Sequence, residues 1–240
     1  MIILISPAKT FAKPFTSFES TPIFQNEALS MISKLKKLSV STLMSKMKIS
    51  KDLAQKVKND YMNFGKESSA AIYSYDGYAY KGFDVHHMDS NTLSYLKNHL
   101  YILSGLYGMI KPYDGISHYR LEMKDQIIKN LYHFWQPKIK SYLMENHPNE
   151  LLINLSSAEY SKVIDTSLPM LTLTFYQKKD HELKALSMHV KLMRGKMANH
   201  ILTHQIESPE QIKEISVDGY HYEKNLSTEQ EYVFIKELTK

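Results

Sequence analysis

The sequence predicts an α/β fold, and three observations carry that prediction. Short apolar runs of strand length stand at residues 2–6, 100–104 and 151–155. Stretches with helical spacing of apolar residues separate them, which favours a parallel or mixed sheet flanked by helices. The chain has 240 residues and is 43% hydrophobic, enough for one large core without a second domain. No repeat, low-complexity tract or linker divides it, so residues 1–240 are expected to form one compact domain. An α+β arrangement is the alternative.

Residues 2–6 are apolar with little alternation, as a strand buried on both faces requires. Ser6-Pro7 ends the strand, pairing a good N-cap with a good first helical residue. Residues 10–21, rich in Thr, Ser, Pro and Phe, read as a loop. Ile23, Leu29, Ile32 and Leu35 set a helix over 22–38, and a shorter one follows over 40–47. After the turn Lys48-Ile49-Ser50, Ser50 caps a third helix running to about Phe64, with Leu53, Val57 and Tyr61 on one face. The stretch 22–66 reads as a helical subdomain on the sheet. Residues 69–83 are Tyr-rich, with a turn signal at Asp76-Gly77.

A helix over 89–99, capped by Asp89 or Ser90, leads into the strand at 100–104. Gly105, Gly108, Pro112 and Gly115 mark 105–123 as an ordered loop. Residues 125–146 read as helical with a break at Pro137. The strand Leu151–Leu155 enters a helix at Ser156, where Ser156 and Glu159 fit a capping box. A strand over 170–176, a long helix over 182–204, a short helix over 209–214 and a terminal element over 228–239 complete the chain.

Cysteine is absent, which excludes disulfides and thiolate-held metals and fits a reducing compartment. The apolar start spans only Met1–Ile5, without the basic residues and longer run of a signal peptide. No stretch approaches the ~20 apolar residues of a membrane span. A cytoplasmic protein with no membrane partner is expected.

The formal charge of +5 is unevenly placed. Between Lys34 and Lys66 nine Lys stand against Asp52 and Asp60, a net of +7, whereas residues 205–240 carry a net of −4. Such asymmetry suggests a polyanionic partner, or else a solvated face. Of 30 basic residues only Arg120 and Arg194 are Arg, which points to sites needing a planar five-donor fork.

Several motifs carry candidate chemistry. The segment 40–64 resembles a helix-hairpin-helix, whose tight turn and second-helix N-terminus hold a backbone phosphate without reading bases. Lys46, Lys48, Ser50, Lys51 and Lys58 are its candidate DNA-binding residues. Lys48 and Ser50 replace the usual glycines. Ser6-Pro7-Ala8-Lys9-Thr10 follows a strand, where α/β proteins place ligands, and Ser6, Lys9 and Thr10 suit an anion. Ser6 and Lys9 also fit Ser-x-x-Lys, without its companion motifs. Arg120 suits a bidentate clamp on an anion, or a local pair with Glu122. Lys191, Arg194, Gly195 and Lys196 form a second basic cluster, with Gly195 permitting close approach. His200 and His204 stand one turn apart, as in a two-His metal face, but no third ligand is evident.

Met1 to Thr10, Leu103 to Met123, Phe134-Trp135, Ile153 to Tyr160 and Lys191 to Met197, in this order and spacing, closely resemble the YaaA family over nearly the whole chain. The resemblance implies a single compact fold with a helix-hairpin-helix and a positively charged cleft. It implies a cytoplasmic protein of the response to hydrogen peroxide, associated with lower free intracellular iron and less oxidative damage to DNA, and it implies DNA binding. Ser6, Lys9, Thr10, Arg120, Glu122, Lys191 and Arg194 match the family pattern without assigned roles.

Two readings follow. The first is a monomeric stress protein that binds double-stranded or damaged DNA with little sequence specificity. The second is an enzyme acting on a phosphorylated or other anionic small molecule in a basic cleft, with Glu122 or Glu159 as acid–base candidate. Direct iron sequestration is a third and weaker reading, since Glu-x-x-His pairs and Cys clusters are missing. No cofactor and no metal site is expected.

Overall fold

The computed structural model describes residues 1–12, 17–180 and 182–238. Of the predicted loop, residues 13–16 lie outside the described residues, as does residue 239 of the terminal element.

In chain order the elements begin with β1 (Ile2–Ile5), β2 (Thr10–Phe11), α1 (Gln25–Leu35), α2 (Val40–Met47) and α3 (Lys51–Asn63). Then come β3 (Ser69–Ala70), α4 (Ala71–Ser74), β4 (Tyr75–Asp76), α5 (Tyr78–Phe83) and α6 (Ser90–His99). The middle holds β5 (Leu100–Ser104), β6 (Gly108–Ile110), β7 (Gly115–Ile116), α7 (Leu131–Asn146), β8 (Leu152–Leu155) and α8 (Ala158–Ser161). The chain continues through β9 (Met170–Lys179), β10 (Glu182–Lys184), α9 (Ser187–Thr203), α10 (Pro209–Ile212), β11 (His221–Tyr222) and β12 (Glu231–Glu237).

The main sheet has the order β11-β12-β9-β8-β1-β5-β6, and β10 pairs with β9. Its centre, β12-β9-β8-β1-β5, is parallel throughout, and the added strands β6, β10 and β11 are antiparallel. The predicted α/β class with a mixed sheet is therefore the observed one. β1, β5 and β8 are buried along their whole length, which explains why they are almost wholly apolar, with Ser104 at the end of β5 and Asn154 in β8 as the polar exceptions. Buried side chains of α1–α3, among them Leu35, Leu43, Val57 and Tyr61, belong to the same core cluster as the sheet.

Local signals hold where side chains cap backbones. Ser39, Ser50 and Asp89 each accept a hydrogen bond from the backbone N–H three residues on. Other expectations fail for non-local reasons. β6 and β7 lie inside the predicted loop 105–123, and β6 extends the sheet beside β5. Residues 182–184 form β10 on the edge of β9 instead of opening the long helix. α7 runs through Pro137, which removes one N–H, while buried Trp135, Ile139 and Leu143 hold the helix on both sides of it. The capping box at Ser156 is absent: Ser156 donates to Asn154 Oδ1 at 2.6 Å, and Ser157 is the N-cap of α8 without a side-chain capping bond. Gly195 does serve a close approach, but of a helix and not a ligand. A Cβ there would land on the carbonyl oxygen of Ala79 and 2.7 Å from the Phe83 nitrogen, so α9 crosses α5 in direct backbone contact.

Candidate functional site

β5 lies on one side of β1 and β8 on the other. The chain leaves β1 toward β5 and returns later to the far side of β1, so the strand order reverses there. In parallel sheets such a reversal opens a crevice at the carboxyl ends of the strands. Here it is a cavity of about 610 Å³, within the usual range for small-molecule sites of roughly 300–1,000 Å³.

Ser6 and Ser157 close its floor. The Ser157 N–H donates to Ser6 Oγ at 2.8 Å, and Tyr80 Oη donates to the Ser6 carbonyl at 3.1 Å. Lys9 and Thr10 come from the loop after β1, and Thr10 Oγ1 donates to the carbonyl of Asp76. Arg120, Glu122 and Lys124 come from the segment after β7, and Lys191 and Arg194 from α9. All seven cleft candidates thus stand around one cavity. The hairpin residues Lys46, Lys48, Ser50 and Lys51 do not line it.

Glu122 is the hub of the charges. Its Oε1 meets Lys9 Nζ at 2.8 Å and Arg120 Nη2 at 3.2 Å, and its Oε2 meets Lys124 Nζ at 3.4 Å. Lys124 also reaches Glu159 Oε2 at 2.9 Å. Burial pushes the Glu122 carboxyl up, but the Lys9 hydrogen bond and the three cations outweigh it and hold the group below its ordinary value. Arg120 is therefore engaged by Glu122, and its carbonyl accepts from Tyr61 Oη of α3. Lys9 bonds Glu122 and not Ser6, and Ser6 Oγ bonds Ser157 and not a base. The Ser-x-x-Lys pattern accordingly lacks nucleophile–base geometry.

Lys191 and Arg194 differ from these cations, because among the described residues neither forms an ion pair within the chain. The Arg194 Nε is buried and has no hydrogen-bond partner among the described residues. Burial pulls the guanidinium below its ordinary value. Lys196, counted with them in the sequence, pairs instead with Asp218.

Aromatic side chains line the cavity as well. Tyr78, Tyr80, Phe83, Tyr119 and Tyr160 face the cavity. Ser104 Oγ accepts from the N–H groups of Leu106 and Tyr107, so its proton points to Tyr119 Oη at 2.7 Å, and Tyr119 Oη lies 2.8 Å from Tyr75 Oη. Burial pushes the Tyr119 hydroxyl up to about 12 despite these bonds. Sequence reasoning missed this aromatic lining and Lys124. The pattern Tyr78-Ala79-Tyr80-Lys81-Gly82-Phe83, with a glycine to match Gly195, was the available signal.

The hairpin is a separate feature. Lys48 sits in the left-handed region at φ 54°, and Lys46, Lys48, Ser50 and Lys51 are exposed. Ser50 Oγ caps α3. Lys58 does not stand with them: its ammonium donates to the carbonyls of Lys36 at 2.5 Å and Leu38 at 2.9 Å, closing the C-terminal end of α1. His200 and His204 stack at 4.0 Å, and among the described residues no group of three or more His, Cys, Asp or Glu is placed to hold a metal ion. No helix among those residues is long and apolar enough to cross a membrane.

The family described as Peroxide stress protein YaaA matches residues 1–226 of this sequence. The chain belongs to the YaaA family. Its similarity extends to a UPF0246 protein of Legionella pneumophila subsp. pneumophila, 36% identical over 98% of this chain and 99% of the relative. A UPF0246 protein of Francisella tularensis subsp. holarctica is 38% identical over 95% of this chain and 97% of the relative. Membership of the YaaA family supports a general role in peroxide stress.

The Glu122 network makes this YaaA-family chain acid-sensitive in a defined sense. A carboxyl lowered by folding stabilises the fold above its unfolded pKa, near ~4.3, and that stabilisation is lost as the pH falls through the folded value. Lys9 and Lys124 are 57% and 61% exposed against 10% for Glu122, so solvent screens much of the attraction. Glu122→Gln is expected to cost about 1–2 kcal/mol at neutral pH. It should also flatten the fall of Tm below about pH 5. Thermal unfolding of both proteins across that range checks this, and parallel acid limbs would refute it.

Proposed function

We propose that the chain acts in peroxide stress by binding DNA with little sequence specificity, so limiting iron-driven oxidative damage to it. The observation that carries this reading is the α2–α3 turn. Lys46, Lys48 and Lys51 stand exposed around the N-terminus of α3, whose first N–H groups have no helical partner. Affinity from such contacts is electrostatic, and each phosphate contact contributes about 0.9 to the slope of log affinity on log salt. In a fluorescence-anisotropy salt series on a labelled duplex, Lys48→Glu/Lys51→Glu is expected to lower the slope by about 1.8 for two lost contacts. Duplexes of scrambled sequence should bind alike. Binding unchanged in the variant would remove the hairpin from the interface.

A second reading is that the cavity takes a small anionic ligand, in binding or in catalysis. It is favoured by Lys191 and Arg194, two cations at one cavity that form no ion pair among the described residues, and by lining that does not continue to Lys48 and Lys51.

A further inference from the structure

We infer that the cavity between β1, β8 and α9 is a binding site for a free phosphate monoester carrying a planar body, a mononucleotide in chemical class. This inference rests on the second reading above, that the cavity takes a small anion, and adds what the anion is attached to.

The charge count selects the anionic group. Five cations line the cavity, Lys9, Arg120, Lys124, Lys191 and Arg194, against the three carboxylates Asp76, Glu122 and Glu159, a net of +2. Glu122 and Glu159 hold Lys9, Arg120 and Lys124 at 2.8 to 3.4 Å, so among the described residues the cations there without an ion pair are Lys191 and Arg194, three positions apart and therefore on one face of α9. Two adjacent cations match the charge of roughly −1.5 to −2 on a phosphate monoester better than the single charge of a carboxylate or a phosphodiester. Among the described residues the buried Nε of that guanidinium has no hydrogen-bond partner, so the group is not already held by the fold through that donor. Arg194 lines the cavity, where a bound anion would pair with its guanidinium.

The walls select the body. Tyr78 on α5 is 48% exposed and offers aromatic surface to the same space, backed by the buried rings of Tyr80, Phe83, Tyr119 and Tyr160. Stacking of a base on such a side chain is favourable without regard to base identity. Glu122 and Glu159 supply carboxylate oxygens that would accept from sugar hydroxyls. A ligand with an anion at one end, hydroxyls in the middle and a flat ring at the other meets all three features.

The test is calorimetric titration of the full chain with adenosine 5′-monophosphate, inorganic phosphate, adenosine and the dinucleotide ApA. The monophosphate is expected to bind at one site, at least tenfold tighter than phosphate or adenosine alone. It should also bind at least tenfold tighter than ApA, whose diester carries one charge for two cations. Arg194→Met should weaken it at least tenfold, Arg194→Lys less, and Lys48→Glu/Lys51→Glu not at all. Monophosphate and phosphate binding equally would overturn the mononucleotide while leaving the anion site intact. ApA binding as tightly as the monophosphate would move the source of the ligand from a free nucleotide to a nucleic-acid strand. If neither phosphate nor monophosphate binds, the anion reading fails as well. These ligand comparisons need only the unmodified protein, so a variant that fails to fold does not protect the inference.

Discussion

Gly195→Ala is expected to destabilise the protein by about 3 kcal/mol or more, the upper end of the overpacking range. Two effects oppose each other. Alanine is the better helix former by about 0.8–1.0 kcal/mol, which favours the substitution in the interior of α9. The added methyl would occupy the position of the Ala79 carbonyl oxygen and approach the Phe83 nitrogen at 2.7 Å. Backbone atoms of α5 cannot swing aside as a side chain would, so the two helices must separate. Steric exclusion wins. For a chain of this size each kcal/mol lowers Tm by about 2–4 °C, so a fall of roughly 6–12 °C is expected in thermal unfolding. The same separation would displace Arg194 from the wall formed by Tyr78 and Tyr80. A variant as stable as the parent would show that the α5–α9 contact is looser than described.

Trp135→Ala is expected to cost about 3–5 kcal/mol. Trp135 is fully buried, and its Nε1 donates to the Gly105 carbonyl at 2.9 Å. Its ring lies so close over Gly108, at φ 71°, that a Cβ there would meet ring carbons at 2.5–2.9 Å. Phe24 and Phe134 pack on it at 5.5 and 4.8 Å between ring centres. Removal leaves a cavity and an unbonded carbonyl at the start of the segment that ends in Arg120 and Glu122. Trp135→Phe keeps most of the volume and loses the hydrogen bond, so it should cost about 1–3 kcal/mol. Denaturant unfolding of the two variants separates the packing contribution from the hydrogen bond. Equal losses would place the whole effect in the bond.

Much of the fold was legible because its signals are local. A strand covered on both faces is mostly apolar, and β1, β5 and β8 are so, with Ser104 and Asn154 the polar residues among them. A helix start needs a side-chain oxygen for its free N–H groups, and Ser50 and Asp89 stand where one is required. The misreadings share the opposite cause. β10 exists because β9 extends to Lys179 and offers an edge, which residues 182–184 do not announce. Lys58 reads as a surface cation until the carbonyls of Lys36 and Leu38, some twenty positions earlier, come within reach.

Composition, periodicity and capping residues carry the α/β class, the buried strands, the helix starts and the residue types that could meet an anion. The folded arrangement alone joins Ser6 and Ser157, 151 positions apart, in one hydrogen bond, and brings Lys191 and Arg194 of α9 to the same cavity. It also places Lys9 and Arg120 in ion pairs with Glu122, whereas among the described residues Arg194 has none. The physical reason is one of range. Capping and periodicity act within a turn or two of chain, whereas charge pairing acts through space between segments that the order of strands in the sheet brings together.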